Sequence, residues 1–291
     1  MAMATQTGRP NDFQLDKGTA KDLRRRILSD MRTRSAKYRW WLLALSAVRF
    51  LFSRIPAEIF LTLYAGCREP DDITDGDRPL PLGFTSAVQL IERLIGFVQA
   101  PCEPRDGTEY LFAYAFDLAS KIGIDIRNEV LLVLQSLKFD ACRRDPRKPR
   151  ILSRDGLRRH FCSRDINGVI ATCLKLTGDY ERGVRAEDLA ELGEAVQIRY
   201  NLRDVLQDWD DGFCNIPLEA FHVPERSEIN EERKLPNSLV ERWTREEARR
   251  GLRLLKEYKR KLRGLPLLWR TRIALYVVFE RPAKRYFARL S

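Results

Sequence analysis

The sequence predicts an all-α protein folded as a single domain. Apolar residues recur at three- and four-residue spacing in residues 88–98, 109–122 and 128–142, which is the period of an amphipathic helix. No segment alternates apolar and polar residues for long, and β-rich runs bounded by turns are absent. Two acidic stretches, 64–75 and 197–208, stand far apart in the 291 residues; if they cooperate, the chain between them folds back within one domain.

In order, residues 1–37 form a basic tail: 1–22 are polar with early Gly and Pro and read as disordered, and 24–38 read as a basic helix start lying on a surface. The domain proper spans 38–291. Its first segment, 40–52, is the most apolar window, but Arg49 interrupts it and it falls short of the roughly 18–20 apolar residues of a membrane span. It reads as a buried first helix or, alternatively, as a peripheral membrane contact through Trp40, Trp41 and the arginines before them. Pro56 opens the helix carrying the first acidic stretch, and Pro79 and Pro81 close the loop after it.

After the three amphipathic helices, residues 143–154 are rich in Pro and Arg. They read as a solvated connection or as a basic loop that draws diphosphates to a pocket mouth. Residues 157–176 form the next helix. Gly168 in its middle costs about 1 kcal/mol relative to alanine, which points to a backbone that something approaches closely. Residues 186–209 carry the second acidic stretch, with Gly212 and Pro217 marking its exit. A polar loop at 224–236 precedes two last helices, 244–263 and 268–289.

Hydrophobic residues make up 44% of the chain, ample for a core, and the formal charge of +11 implies acidic company: diphosphates, an anionic membrane face or nucleic acid. Basic clusters at 24–26 and 242–289 come without any base-reading or RNA-binding signature, so nucleic acid is not expected. The six cysteines show no C-x-x-C spacing and no neighbouring His pair. Zinc is therefore not expected, and with no secretory signal the reading is reduced thiols in the cytoplasm. His160 and His222 read as surface or edge residues without a role.

The chemistry lies in the acidic stretches. In YAGCREPDDITD, helical periodicity sets Asp71 and Asp75 on one face with Asp72 beside them and Arg68 a turn earlier. QIRYNLRDVLQD repeats the device with Asp204, Asp208 and Arg203. Two facing acidic stripes repel unless a cation sits between them. Mg²⁺, a hard ion held by one or two carboxylates plus phosphate oxygens, suits binding of a diphosphate.

These residues carry a resemblance. The first stretch resembles the aspartate-rich helix of the squalene/phytoene synthase family, in which Tyr-Ala-x-Cys-Arg leads into Asp-Asp-x-x-Asp. The second resembles that family's Gln-x-x-x-x-x-Arg-Asp-x-x-x-Asp helix, followed here by Gly212 and by Ile-Pro-Leu-Glu at 216–219. Residues 157–170 resemble its middle helix, Leu-x-x-Tyr-Cys-x-x-Val-Ala-Gly-x-Val-Gly, with Asp165, Asn167 and Ile170 departing from it. The resemblance implies an isoprenoid-synthase-like helical bundle with a central cavity and head-to-head condensation of two allylic prenyl diphosphates. It implies Asp71, Asp75, Asp204 and Asp208 as metal-binding, catalytic residues with Asp72 as a helper. Arg68 and Arg203 would contact diphosphate, and Tyr64 and Gln197 would line the pocket.

The family also carries an acidic residue before the basic loop, for which Asp140 or Asp145 is the candidate. NADPH is left open, since reductive members need no Rossmann-type glycine fingerprint. Tyr200, where the family has Asn, together with Asp165 and Ile170, favours a second reading: a terpene synthase acting on one prenyl diphosphate on the same scaffold. A third is a relative that only binds lipid or a protein partner.

Overall fold

The computed structural model describes residues 15–34, 52–222 and 235–290. In chain order the helices are α1 (Lys17–Arg34), α2 (Arg54–Thr74), α3 (Ala87–Gln99), α4 (Gly107–Lys121), α5 (Arg127–Arg143) and α6 (Arg154–Phe161). A π-helical stretch, Cys162–Ile170, runs directly into α7 (Ala171–Thr177). Then come α8 (Ala190–Asp210), α9 (Asn237–Leu262) and α10 (Trp269–Ala274), and a second π stretch, Leu275–Glu280, leads into α11 (Arg281–Phe287). Among the described residues there is no strand, and no helix is long and apolar enough to cross a membrane.

Two apolar cores organise the bundle. The first is closed by α2, α3, α4 and α5 around Ile59, Leu94, Phe97, Phe112 and Leu134. The second is closed by α8, α9 and the C-terminal helices around Leu192, Leu202, Trp243, Tyr258 and Phe287. Three helices start where a side chain satisfies their first amides: Ser86 Oγ accepts from Gln89 N, Asp106 from Thr108 and Glu109 N, and Ser153 Oγ from Gly156 N. The acidic helices α2 and α8 belong to different cores.

The segment from α6 to α7 lies between the two halves, and glycines let it approach both. A Cβ at Gly168 would lie 2.7 Å from Val133 Cγ2 of α5, and one at Gly193 of α8 would lie 2.7 Å from Ile166 Cγ1. Close approach is thus the reason for a glycine at 168, and the middle of this helix is widened to π geometry, a feature frequent at functional sites.

Residues 17–34 correct the reading of a tail. They form α1, whose Ala20, Ile27 and Met31 are buried, and Arg24 Nη1 reaches Glu58 Oε1 at 2.6 Å and Thr62 Oγ1 at 3.0 Å on α2. The apolar positions are thinly spread through a basic segment, so composition hid a packed face. Trp40 and Trp41 lie outside the described residues, as does most of the 224–236 loop.

Gly251 on α9 faces the ring of Phe287, which has no exposed surface, and a Cβ at 251 would overlap it. Gly251→Ala is expected to lose about 1–3 kcal/mol of stability from overpacking, outweighing the ~1 kcal/mol gain in helix propensity. In a Phe287→Leu background the loss should shrink. Denaturant midpoints of the four proteins test this; equal losses in both backgrounds would rule out the ring contact as the cause.

Candidate active site

At the C-terminal end of α2, three acidic side chains pair with one cation. Arg68 pairs with Asp71 at 2.5 Å, with the fully buried Asp72, and with Asp77 at 3.7 Å. Burial pushes the Asp71 carboxyl up; Arg68 and Arg164 pull it down, and Asp72 and Asp140 push it up further. Asp75 is raised well above the carboxylate range, first by burial and then by Asp71, with Arg68 opposing and Asp140 and Asp77 adding to the rise. These shifts mark carboxylates whose loss of solvation the neighbouring cations do not offset.

Asp140, from α5, completes this end of the site. It accepts from Arg143 Nε at 2.6 Å and Arg164 Nη1 at 3.4 Å, and His160 Nε2 lies 3.0 Å from its carboxylate. Burial pushes this carboxyl up, but the His160 hydrogen bond and the charges of Arg143, His160 and Arg164 outweigh it and hold Asp140 well below the usual range. His160 is therefore no edge residue. It is buried between Asp140 and Ser136, whose Oγ lies 3.2 Å from Nδ1, and is flanked by the rings of Phe139 and Phe161. Between the two acidic candidates of this region, Asp140 is the buried one and Asp145 is exposed.

On α8, Arg203 grips the carboxylate of its neighbour Asp204 with Nε and Nη2 and lies over the Tyr200 ring at 4.9 Å, with Arg199 over the same ring at 5.3 Å. Gln197 Nε2 donates to Asn201 Oδ1 at 2.7 Å. Asp208 accepts from Asn215 Nδ2 at 2.8 Å, and burial pushes its carboxyl up to about 6 against that hydrogen bond.

The basic connection after α5 ties these parts together. Arg143, buried, donates from Nη2 to Asn215 Oδ1 at 2.9 Å, so Asp140, Arg143, Asn215 and Asp208 form one hydrogen-bonded chain. Arg144 donates to the carbonyl of Thr74 at 3.0 Å and to that of Asp211 at 2.8 Å, clamping the C-terminal ends of α2 and α8 to each other. Cations at helix C-termini are favourable because the last carbonyls are unpaired. Gly76 and Gly212 leave room for the clamp: a Cβ at 76 would lie 2.7 Å from Arg144 Nη2, and one at 212 would lie 2.6 Å from the Pro146 nitrogen. At Gly212 the backbone also has φ +93°, and its carbonyl accepts from Asp145 N. The first two residues of the loop are thus structural, while Asp145 to Lys148 are exposed.

The ends of both acidic helices therefore meet under Arg144. Tyr64 lies on α2 well before this meeting point, and Gln197 two turns before Asp204. Among the described residues no three His, Cys, Asp or Glu side chains converge tightly enough to hold a metal as they stand. Asp71 and Asp72 turn to Arg68, and Asp204 turns to Arg203. The donor set is nevertheless all hard carboxylate oxygen, and Asp75, Asp71 and Asp208 are raised by burial, the condition that a divalent cation relieves.

The sequence model for squalene/phytoene synthase matches residues 46–281, most of the chain. The chain belongs to the squalene/phytoene synthase family. This family member also superimposes on the crystal structure of a dehydrosqualene synthase in complex with ligand, with a TM-score of 0.62 and 19% identity. The match covers 94% of this chain and 86% of that one, which shows a shared all-helical fold. No curated protein sequence matches the chain. Within the family pattern, sequence reasoning reached the stripes and Asp140 but missed Arg143, Arg144, His160, Arg164 and Asn215. Arg164 sits inside the middle motif and was legible there as a charge beside Asp165; the others become visible only through tertiary contacts.

A carboxyl whose folded pKa lies above its unfolded value stabilises the fold at low pH and loses that contribution as pH rises. For Asp208 the window runs from the model-compound value of 3.8 to about 6. The loss is up to about 3 kcal/mol. In EDTA, Asp208→Asn is expected to flatten the stability profile across this window and to be the more stable protein at pH 7, measured by urea midpoints against pH. Identical slopes for the two proteins would refute the burial of this charge.

Proposed function

We propose that this member of the squalene/phytoene synthase family condenses two allylic prenyl diphosphates, of farnesyl or geranylgeranyl type, head to head. Diphosphate is released and a squalene- or phytoene-like product forms. The observation that carries the reading is the meeting of the α2 and α8 acidic ends under Arg144, where buried carboxylates lack sufficient counter-charge. Family membership supplies the reaction class.

The residues fit Mg²⁺ as the missing charge, with Asp71, Asp75, Asp204 and Asp208 as holders and Asp72 as a helper acting through Arg68. When bound, the ion neutralises diphosphate oxygens and stabilises the group as it departs. The chain's own contribution is positional. Arg68 and Arg203 are already oriented beside the stripes, and their planar guanidinium groups match phosphate oxygens in fork geometry once the carboxylates are otherwise engaged. Tyr64 and Gln197 line the substrate's path. The apolar interior of the bundle keeps water from the carbocation left behind.

A second reading, ionisation and cyclisation of one prenyl diphosphate, is favoured by Tyr200. Its ring, one turn before Asp204 and within cation–π reach of Arg199 and Arg203, puts an aromatic group beside the stripe where the family carries an amide. Aromatic faces stabilise cations.

Purified protein incubated with Mg²⁺ and farnesyl or geranylgeranyl diphosphate, followed by mass analysis of extracted hydrocarbons, separates the readings. A product with doubled carbon count is expected. A single-chain terpene would favour the second reading, and no diphosphate release with either substrate would contradict both. Asp71→Asn and Asp204→Asn should each lower turnover by about a hundredfold or more with an unchanged circular dichroism spectrum.

A further inference from the structure

Beside the second acidic stripe, between α6, α8 and α9, lies a cavity of about 60 Å³. That is room for roughly four waters or for one compact group of similar size. Its charged lining is an alternating row. Glu247 is shared by Arg154 and Arg250, the latter at 2.8 Å, and Glu194 is shared by Arg250 and, at 3.8 Å, Arg158. Three guanidinium groups against two carboxylates leave a positive surplus, and the charge of exposed Arg253 also acts on Arg250. Each guanidinium carries five N–H donors, far more than two glutamates can accept.

A second observation is independent of the arginines. Trp243 also lines the cavity and is 3% exposed, yet its indole N–H has no acceptor among the described residues. A buried donor without a partner costs on the order of 1–3 kcal/mol, so its persistence points to a ligand that brings an acceptor. Burial, together with the charges of Arg154, Arg158 and Arg253, also depresses the Arg250 pKa to about 10, as expected where positive charge is crowded. Water would satisfy the indole N–H but leave the charge surplus, and a cation would leave both deficits in place. A compact anion with several acceptor oxygens meets both.

We propose that this cavity binds a phosphate-class oxyanion, at a site distinct from the acidic stripes. It stands next to them: Gln197 and Asn215 lie on its wall, and Asn215 is the residue that donates to Asp208. The inference does not rest on the condensation reaction, and failure of the hydrocarbon assay would leave it standing.

The test titrates inorganic phosphate into the full chain in EDTA, at constant ionic strength set with NaCl, followed by calorimetry and tryptophan fluorescence. Saturable binding is expected. Arg158→Gln alters a side chain that is 59% exposed, so it should keep the melting temperature while weakening phosphate about tenfold or more. Trp243→Phe keeps an aromatic ring at the position but removes the N–H, and should weaken binding and remove most of the fluorescence response. Inorganic diphosphate titrated in the same way identifies the source: tighter diphosphate binding lost in the same variants assigns the site to the leaving group, and tighter phosphate binding assigns it to free phosphate. No saturable binding to the unmodified chain, or binding of both anions that neither variant alters, would overturn the proposal.

Discussion

Carboxylates removed from water must be answered by positive charge, and in this protein that requirement shapes the junction of the two helical halves. Asp71, Asp72, Asp75, Asp140 and Asp208 are all largely withdrawn from solvent around one region. Breaking a buried ion pair by removing one partner typically costs about 3–5 kcal/mol, so the arginines that answer them are structural necessities as well as candidate ligands for substrate. Asp140 is fully answered, by His160, Arg143 and Arg164, and its carboxyl stays ionised. Asp75 and Asp208 are not, and theirs are raised. The uneven distribution of charge separates a scaffold carboxylate from those with capacity left for a cation.

The same arginines join the cores. Arg144 has no substrate-like partner; it spends its donors on the last carbonyls of two helices from different halves. That clamp ties the end of α2 to the end of α8, although each belongs to its own apolar cluster. The π-widened helix does similar work by close packing, wedged against α5 through Gly168 and against α8 through Gly193. Rigid elements joined at a charged seam suit a site in which two helices must present oxygen ligands in a fixed relation.

Much of this was legible in the sequence because it depends on period. Helical spacing gave the amphipathic helices and set Asp71 with Asp75 and Asp204 with Asp208, and the motifs carry the family resemblance. Gly168 was legible for the same reason: a glycine in a helix is costly unless something touches it. What escaped has no periodic signature. The packed face of α1 rests on a few apolar residues in a strongly basic segment. His160 pairs with a carboxylate twenty positions away. Arg144 acts through backbone carbonyls, which carry no side-chain identity to read. The complete burial of Asp72 against Arg68 likewise has no mark in the sequence.

The central claim is that the two acidic stripes hold one shared ligand. Mn²⁺ in place of Mg²⁺, with an unreactive prenyl thiodiphosphate, allows the metal positions to be read directly by anomalous diffraction from crystals of the full chain. Peaks bridging the Asp71 and Asp75 carboxylates to those of Asp204 and Asp208 through the diphosphate are the predicted result. Peaks confined to a single stripe, or diphosphate lodged away from both, would contradict the account.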